Sequence, residues 1–165
     1  MSISQGWPLG GTCLAAVGAL VALAWARKNL VVVAVSGTSM EPTLRDGDRV
    51  LVRRRSLPQV RRGDVVVLEP PLDGPYLPGP AGPDGRIWNV KRAAALPGDL
   101  LPPGVPGDLL PPGVPGDGDT VPPGTLAVFG DNPDSIDSRQ RGLFSGDQLL
   151  GVVVRRLVVT PPQSQ

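Results

Sequence analysis

Glycine and proline supply 43 of the 165 residues, and 26 of them fall in the 55 positions from 70 to 124. Proline removes a backbone donor and glycine frees the backbone, so long regular elements are disfavoured where both crowd together. The core is therefore expected from the other 110 positions, which hold only 17 such residues. There, short β-branched runs at 30–35 (LVVVAV), 49–52 (RVLV), 64–68 (DVVVL), 125–129 (TLAVF) and 149–159 (LLGVVVRRLVV) lie between Gly, Pro and Asp and predict strands. No helical period is sustained after residue 26. The predicted fold is mainly β, a folded-over antiparallel sheet or barrel. The nine-residue unit LLPPGVPGD occurs at 100–108 and again, unchanged, at 109–117. Two copies make no solenoid, and their prolines predict an elongated surface loop.

Residues 9–26 carry no charge, with Trp7 before them and Trp25 near their end. Eighteen helical steps separate the two indoles, and at a rise of about 1.5 Å per residue they span roughly the thickness of a bilayer's hydrocarbon core. A single transmembrane helix is predicted, against the alternatives of a buried helix or a cleaved secretory signal ending near Ala24-Trp25-Ala26. The first eight residues hold no Lys or Arg, which speaks against a signal. The expected organisation is a tail at 1–8, the membrane helix at 9–26, a β-rich body at 30–160 with loops at 70–86 and 97–124, and a tail at 161–165.

Lys and Arg number 16 against 15 Asp and Glu, a net charge of +1 that gives no electrostatic reason to expect a nucleic-acid partner. Histidine is absent and Cys13 is the one cysteine. A Ser-His-Asp triad, a Cys-His dyad and a His- or Cys-ligated zinc site are thereby excluded. A disulfide within the chain is impossible. No metal and no cofactor is expected.

A hydrolase of this composition needs another base, and lysine serves once burial lowers its proton affinity. Lys91 lies in Trp88-Asn89-Val90-Lys91-Arg92-Ala93-Ala94-Ala95-Leu96, among small and apolar neighbours, although Arg92 equally suits an exposed turn. Ser39 lies in Ser36-Gly37-Thr38-Ser39-Met40-Glu41-Pro42-Thr43-Leu44, a bend after an apolar strand, where a nearby glycine permits close approach of a substrate backbone. An ordinary serine-rich turn reads the same way.

Four segments, 36–44 (SGTSMEPTL), 62–67 (RGDVVV), 90–99 (VKRAAALPGD) and 130–142 (GDNPDSIDSRQRG), occur in the order and approximate spacing of the boxes of type I signal peptidases. The chain resembles that family from about residue 9 to residue 154. The resemblance implies that Ser39 is the acyl-accepting nucleophile and Lys91 the general base. It makes Ser135 the serine that orients the lysine amine, and Asp137 and Arg139 a supporting ion pair that serves structure more than chemistry. The backbone at Ser39 and Gly37 is expected to serve the oxyanion. Met40 is expected to pack against the lysine stem. The sequence departs from the family pattern at Gly37, where some members carry a serine, at Ala95 in place of a frequent glycine, and in a run from Asn132 to Ser135 one residue shorter than in many relatives.

The implied activity is removal of signal peptides from translocated preproteins, with cleavage after small residues of the Ala-X-Ala type. The implied partners are such preproteins and the lipid bilayer. The implied location is the cell membrane, single-pass, with the catalytic body outside the cytoplasm. Arg27 and Lys28 after the helix argue for the opposite orientation, but two cations are a weak bias. Alternatives are a dedicated maturation peptidase for one or a few preproteins, and a catalytically silent relative that acts through partner binding. The self-cleaving repressors share a serine-lysine dyad but not the 130–142 box. The arginines at 53–55 and 61–62 are read as solvated or close to lipid headgroups.

Overall fold

The computed structural model describes residues 9–71, 85–109 and 119–157, and of helix α1 the side chains from residue 17 onward. The tails at 1–8 and 161–165, Trp7, most of the loop at 70–86 and the body of the second repeat copy lie outside the described residues.

α1 (Leu9–Asn29) runs directly into β1 (Leu30–Ala34). β2 (Arg49–Arg54), β3 (Val65–Leu68), β4 (Asn89–Ala95) and β5 (Thr125–Phe129) follow. A one-turn helix α2 (Ser138–Arg141), the two-residue β6 (Phe144–Ser145) and the long β7 (Leu149–Leu157) complete the chain. The seven strands form one antiparallel sheet in the order β1-β2-β7-β3-β4-β5-β6. Register shifts in the β2–β7, β3–β7 and β4–β5 pairs bend it. Such irregularities increase local twist and let a sheet curl over its own core.

Two apolar clusters follow from the alternation. Val33, Val50, Val52, Val67, Val90 and Leu150 form one, closed by Met40 and Leu44 from the turn after β1. Val66, Leu68, Ala93, Leu126, Val128 and Phe144 form the other. The strands predicted at the valine runs are present. β4, β6 and α2 were not predicted, and β4 lies inside the stretch richest in Gly and Pro.

The first repeat copy forms an irregular loop, largely exposed or half-buried, that is pinned to the body at one residue. Val105 is buried with Ala95, Val121, Ala127 and Leu143, and Leu100 bridges Thr120. The Leu101 N–H donates to Asp119 O and the Leu143 N–H to Leu109 O, so backbone bonds replace those that the prolines cannot make.

The helix predicted at 9–26 is present as α1, but among the described residues no helix is long and apolar enough to cross a membrane.

Candidate active site

β4 positions the lysine. It pairs with β3 on one side and β5 on the other, Val66 lying opposite Lys91. Lys91, Ala93 and Ala95 project to one buried side of the strand, while Arg92 and Ala94 are partly exposed on the other. The Lys91 side chain is thus drawn into the protein by the period-two alternation of its own strand, and the residue is only 4% exposed. Its Nζ donates to Ser135 Oγ at 2.7 Å. Burial lowers the amine from its ordinary 10.5 to about 8. Asp137 opposes that shift, and Arg141 and Arg139 add to it.

Ser39 sits in the turn after β1, half-buried, and shares with Lys91 a cavity of about 280 Å³ lined also by Thr38, Asn89, Asn132 and Arg141. Asn132 fastens the serine turn to the loop after β5. Its backbone N–H donates to Ser39 O at 3.1 Å, and its side-chain amide donates to Thr38 O at 3.1 Å. Gly130 lets the two segments meet, since a Cβ there would overlap both Ser135 Oγ and the Ser39 carbonyl oxygen. Among the described residues, no hydrogen bond is made by the Ser39 N–H. Gly37 corrects the expectation placed on it. Its N–H donates to Asp46 Oδ1 at 2.7 Å and is therefore committed to the turn rather than free for an oxyanion. Met40 is buried in the valine cluster that includes Val90.

Asp137 is fully buried and caps α2. Its carboxylate accepts from the Gly130 N–H at 2.8 Å, from the Arg139 N–H at 3.1 Å, and from Arg139 Nε and Nη2 at 2.9 and 2.7 Å. Burial alone would push this carboxyl up, but the Arg139 guanidinium and the two backbone donors hold it below its usual range. The Arg139 guanidinium lies over the Phe129 ring, 5.1 Å from its centroid. The ion pair therefore anchors the loop that carries Ser135.

A family model described as signal peptidase, peptidase S26, matches residues 9–101 and 112–158. The chain belongs to this signal peptidase family. The break in the match, 102–111, falls within the tandem repeat. Signal peptidase I of Bacillus licheniformis is 37% identical over 69 residues, a match covering 41% of this chain and 31% of that protein. The chain thus aligns with less than a third of that relative's length.

In this signal peptidase family member, several supporting residues escaped the sequence reading. Arg92, beside the lysine, is no loose turn residue. Its Nε and Nη2 donate to the Asp131 carboxylate at 2.8 and 2.6 Å, and its Nη1 donates to Gly63 O at 2.8 Å. Asp131 also accepts from Thr43 Oγ1 at 2.5 Å, so one carboxylate joins the serine turn, the lysine strand and the loop after β5. The Arg92 bonds hold the Asp131 carboxyl below its usual range. Ser138, fully buried, accepts from the Val128 N–H at 2.8 Å and ties α2 to β5. Arg141 reaches the cavity from the end of α2. An Asp-Asn pair and an Arg beside the lysine were visible in sequence, but their partners are 29 to 94 residues away.

Proposed function

We propose that this chain is a serine endopeptidase that removes signal peptides from preproteins, with Ser39 as nucleophile and Lys91 as general base. The observation that carries the reading is a buried lysine, its proton affinity lowered, in the wall of the same small cavity as Ser39. An amine near 8 is neutral in an appreciable fraction of molecules at neutral pH and can accept a proton, which a solvated lysine cannot.

In the proposed cycle, Ser39 Oγ attacks the scissile carbonyl carbon as its proton passes to Lys91 Nζ. The oxyanion that forms takes a hydrogen bond from the Ser39 N–H. The tetrahedral intermediate collapses as the C–N bond breaks, and the Lys91 ammonium returns the proton to the departing amine. Water then adds to the acyl-enzyme ester, giving a proton to the neutral lysine, and as the bond to Ser39 Oγ breaks the Lys91 ammonium returns that proton to Oγ, releasing the acid and restoring both residues. Ser135 holds Nζ in place throughout, and the Asp137–Arg139 pair holds Ser135.

Membership of the signal peptidase family supports exported preproteins as substrates and small residues before the cut. The charge-free run at 9–26 supports contact of α1 with the cell membrane, and exported preproteins as substrates support a catalytic body on the extracytoplasmic side. The deciding experiment is cleavage of a preprotein with Ala at the first and third positions before the cut, by purified protein. Wild type is expected to cut there, and Ser39→Ala and Lys91→Ala to lose at least about a thousandfold in kcat. Variants that cut as fast as wild type would overturn the assignment. Sedimentation with membranes after alkaline washing tests the membrane contact separately.

A further inference from the structure

The cavity that holds Ser39 is unequal in charge. Among the described residues, the ionisable side chains on its wall are Lys91, Arg141 and Asp134. The nearby Asp137 and Arg139 are spent on each other, with Nη2 and Oδ2 2.7 Å apart, and Asp137 is fully buried. Two basic groups therefore face one acid across about 280 Å³. That volume is at the small end of ligand pockets, so every group on the wall acts on whatever fills it.

No step of the proposed cycle employs Arg141. The residue ends α2, is half-buried, and donates from Nη1 to Pro71 O at 3.4 Å. Its charge is felt at the base, because it is one of the groups that lower the proton affinity of Lys91. The Lys91 amine loses its charge above about 8, whereas a guanidinium remains a cation at every working pH. Partial burial of a permanent charge is costly unless something in the site meets it.

Hydrolysis supplies an anion to meet it. The scissile amide is neutral, but the carbon attacked by Ser39 leaves as a carboxyl, and it is formed inside this cavity. By then the bond to Ser39 Oγ has broken and Oγ has its proton back. A terminal carboxyl has an ordinary pKa of about 3.5 and gives its proton to water at neutral pH. The product is thus a carboxylate between the basic groups on the wall.

We infer that Arg141 is a product-binding residue, its guanidinium holding the new C-terminal carboxylate of the released signal peptide. The inference rests on the peptidase reading above. Guanidinium N–H donors form charge-assisted bonds with a carboxylate, and the neutral substrate gains no such bond. Arg141 therefore strengthens binding of the product over that of the substrate, and makes turnover sensitive to the accumulation of cleaved signal peptides. Asp134, on the same wall, opposes the effect and limits it. An acidic substrate side chain would offer the same chemistry, but every turnover creates the terminal carboxylate.

The test is calorimetric titration of the full-length Ser39→Ala variant with a peptide ending in Ala-Leu-Ala, once as the free acid and once as the C-terminal amide. At about pH 6, Lys91 is charged in every variant that keeps it, so its own titration does not enter. The acid is expected to bind about tenfold more tightly than the amide. Adding Arg141→Gln should remove most of that preference and leave the affinity for the amide unchanged, and Arg141→Lys should restore part of it. Adding Lys91→Met in place of the Arg141 change should leave most of the preference standing. Acid and amide that bind alike, a preference that survives Arg141→Gln, or one that vanishes with Lys91→Met would each overturn the inference. If Arg141→Gln fails to fold, the Lys91→Met comparison still decides. A wild-type protein that cuts the preprotein while its Ser39→Ala variant shows no preference for the acid strikes this inference alone, whereas a Ser39→Ala variant that still cuts strikes the peptidase reading.

Discussion

Lys91 Nζ and Ser135 Oγ lie 2.7 Å apart, each on a residue 4% exposed, so the one hydrogen bond the amine makes among the described residues is largely shielded from solvent. The Ser135 hydroxyl in turn sits against Gly130, behind the carbonyl of Ser39. Removing Ser135 should therefore free the amine without altering its burial. Ser135→Ala is expected to lower kcat about ten- to a hundredfold, with KM little changed, in steady-state cleavage of a preprotein. An unchanged kcat would separate Ser135 from the proposed base.

The amine at about 8 makes two predictions with different readouts. Log kcat/KM should rise with pH and level off above about 8 as Lys91 loses its proton. Stability should also rise with pH, between about 8 and 10.5, because in that window the unfolded chain binds a proton that the folded chain has released. The slope due to this group approaches about 1.4 kcal/mol per pH unit and vanishes below the folded value, where both states are protonated. Urea denaturation across the range checks it, with Lys91→Met as the variant in which the slope disappears.

Charges around Lys91 pull in opposite senses, and substitution should expose both. Arg141 lowers its proton affinity, so Arg141→Gln is expected to move the activity limb to higher pH. Asp137 raises it, so Asp137→Asn is expected to move the limb to lower pH. The second variant should also lose about 3 kcal/mol of stability, since it leaves the Arg139 guanidinium without its carboxylate partner. Parallel shifts in the two pH profiles would contradict this electrostatic arrangement.

Gly130 is required for space rather than for backbone freedom, since its backbone does not occupy the left-handed region. Gly130→Ala should force Ser135 away from the Ser39 turn, abolish most activity and destabilise the fold by about 1–3 kcal/mol. Thermal denaturation and cleavage assays on one preparation test both effects.

Val105 tests the role of the first repeat copy. Its burial beside Val121 and Leu143 predicts that Val105→Ala costs about 1–3 kcal/mol, measured by urea denaturation. A change at an exposed loop position would cost far less.

The valine runs of β1, β2, β3 and β7 were legible because alternation and β-branching are properties of the segment itself. β4 was not. Its Asn-Val-Lys-Arg-Ala-Ala-Ala has weak strand preference, and it becomes a strand because β3 and β5 offer hydrogen bonds on both sides. α2 is a single turn, too short for a helical period, and it exists through the Asp137 cap and the bond from Val128 to Ser138. The first repeat copy reads as a loop from its prolines, but nothing local shows that Val105 anchors it among Ala95, Val121 and Leu143. Gly37 appeared available because nothing local shows that Asp46, nine residues on, takes its N–H.

The sequence by itself determined the chemical inventory: no histidine, one cysteine, and a serine and a lysine in segments resembling those of a known peptidase family. Those are statements about which atoms the chain owns, and covalent order settles them. Only the tertiary structure decided that Lys91 is buried, that Ser135 bonds it, and that Asp131 joins Thr43 to Arg92. Desolvation and hydrogen bonding depend on which groups are neighbours in space, and these neighbours come from segments far apart in the chain.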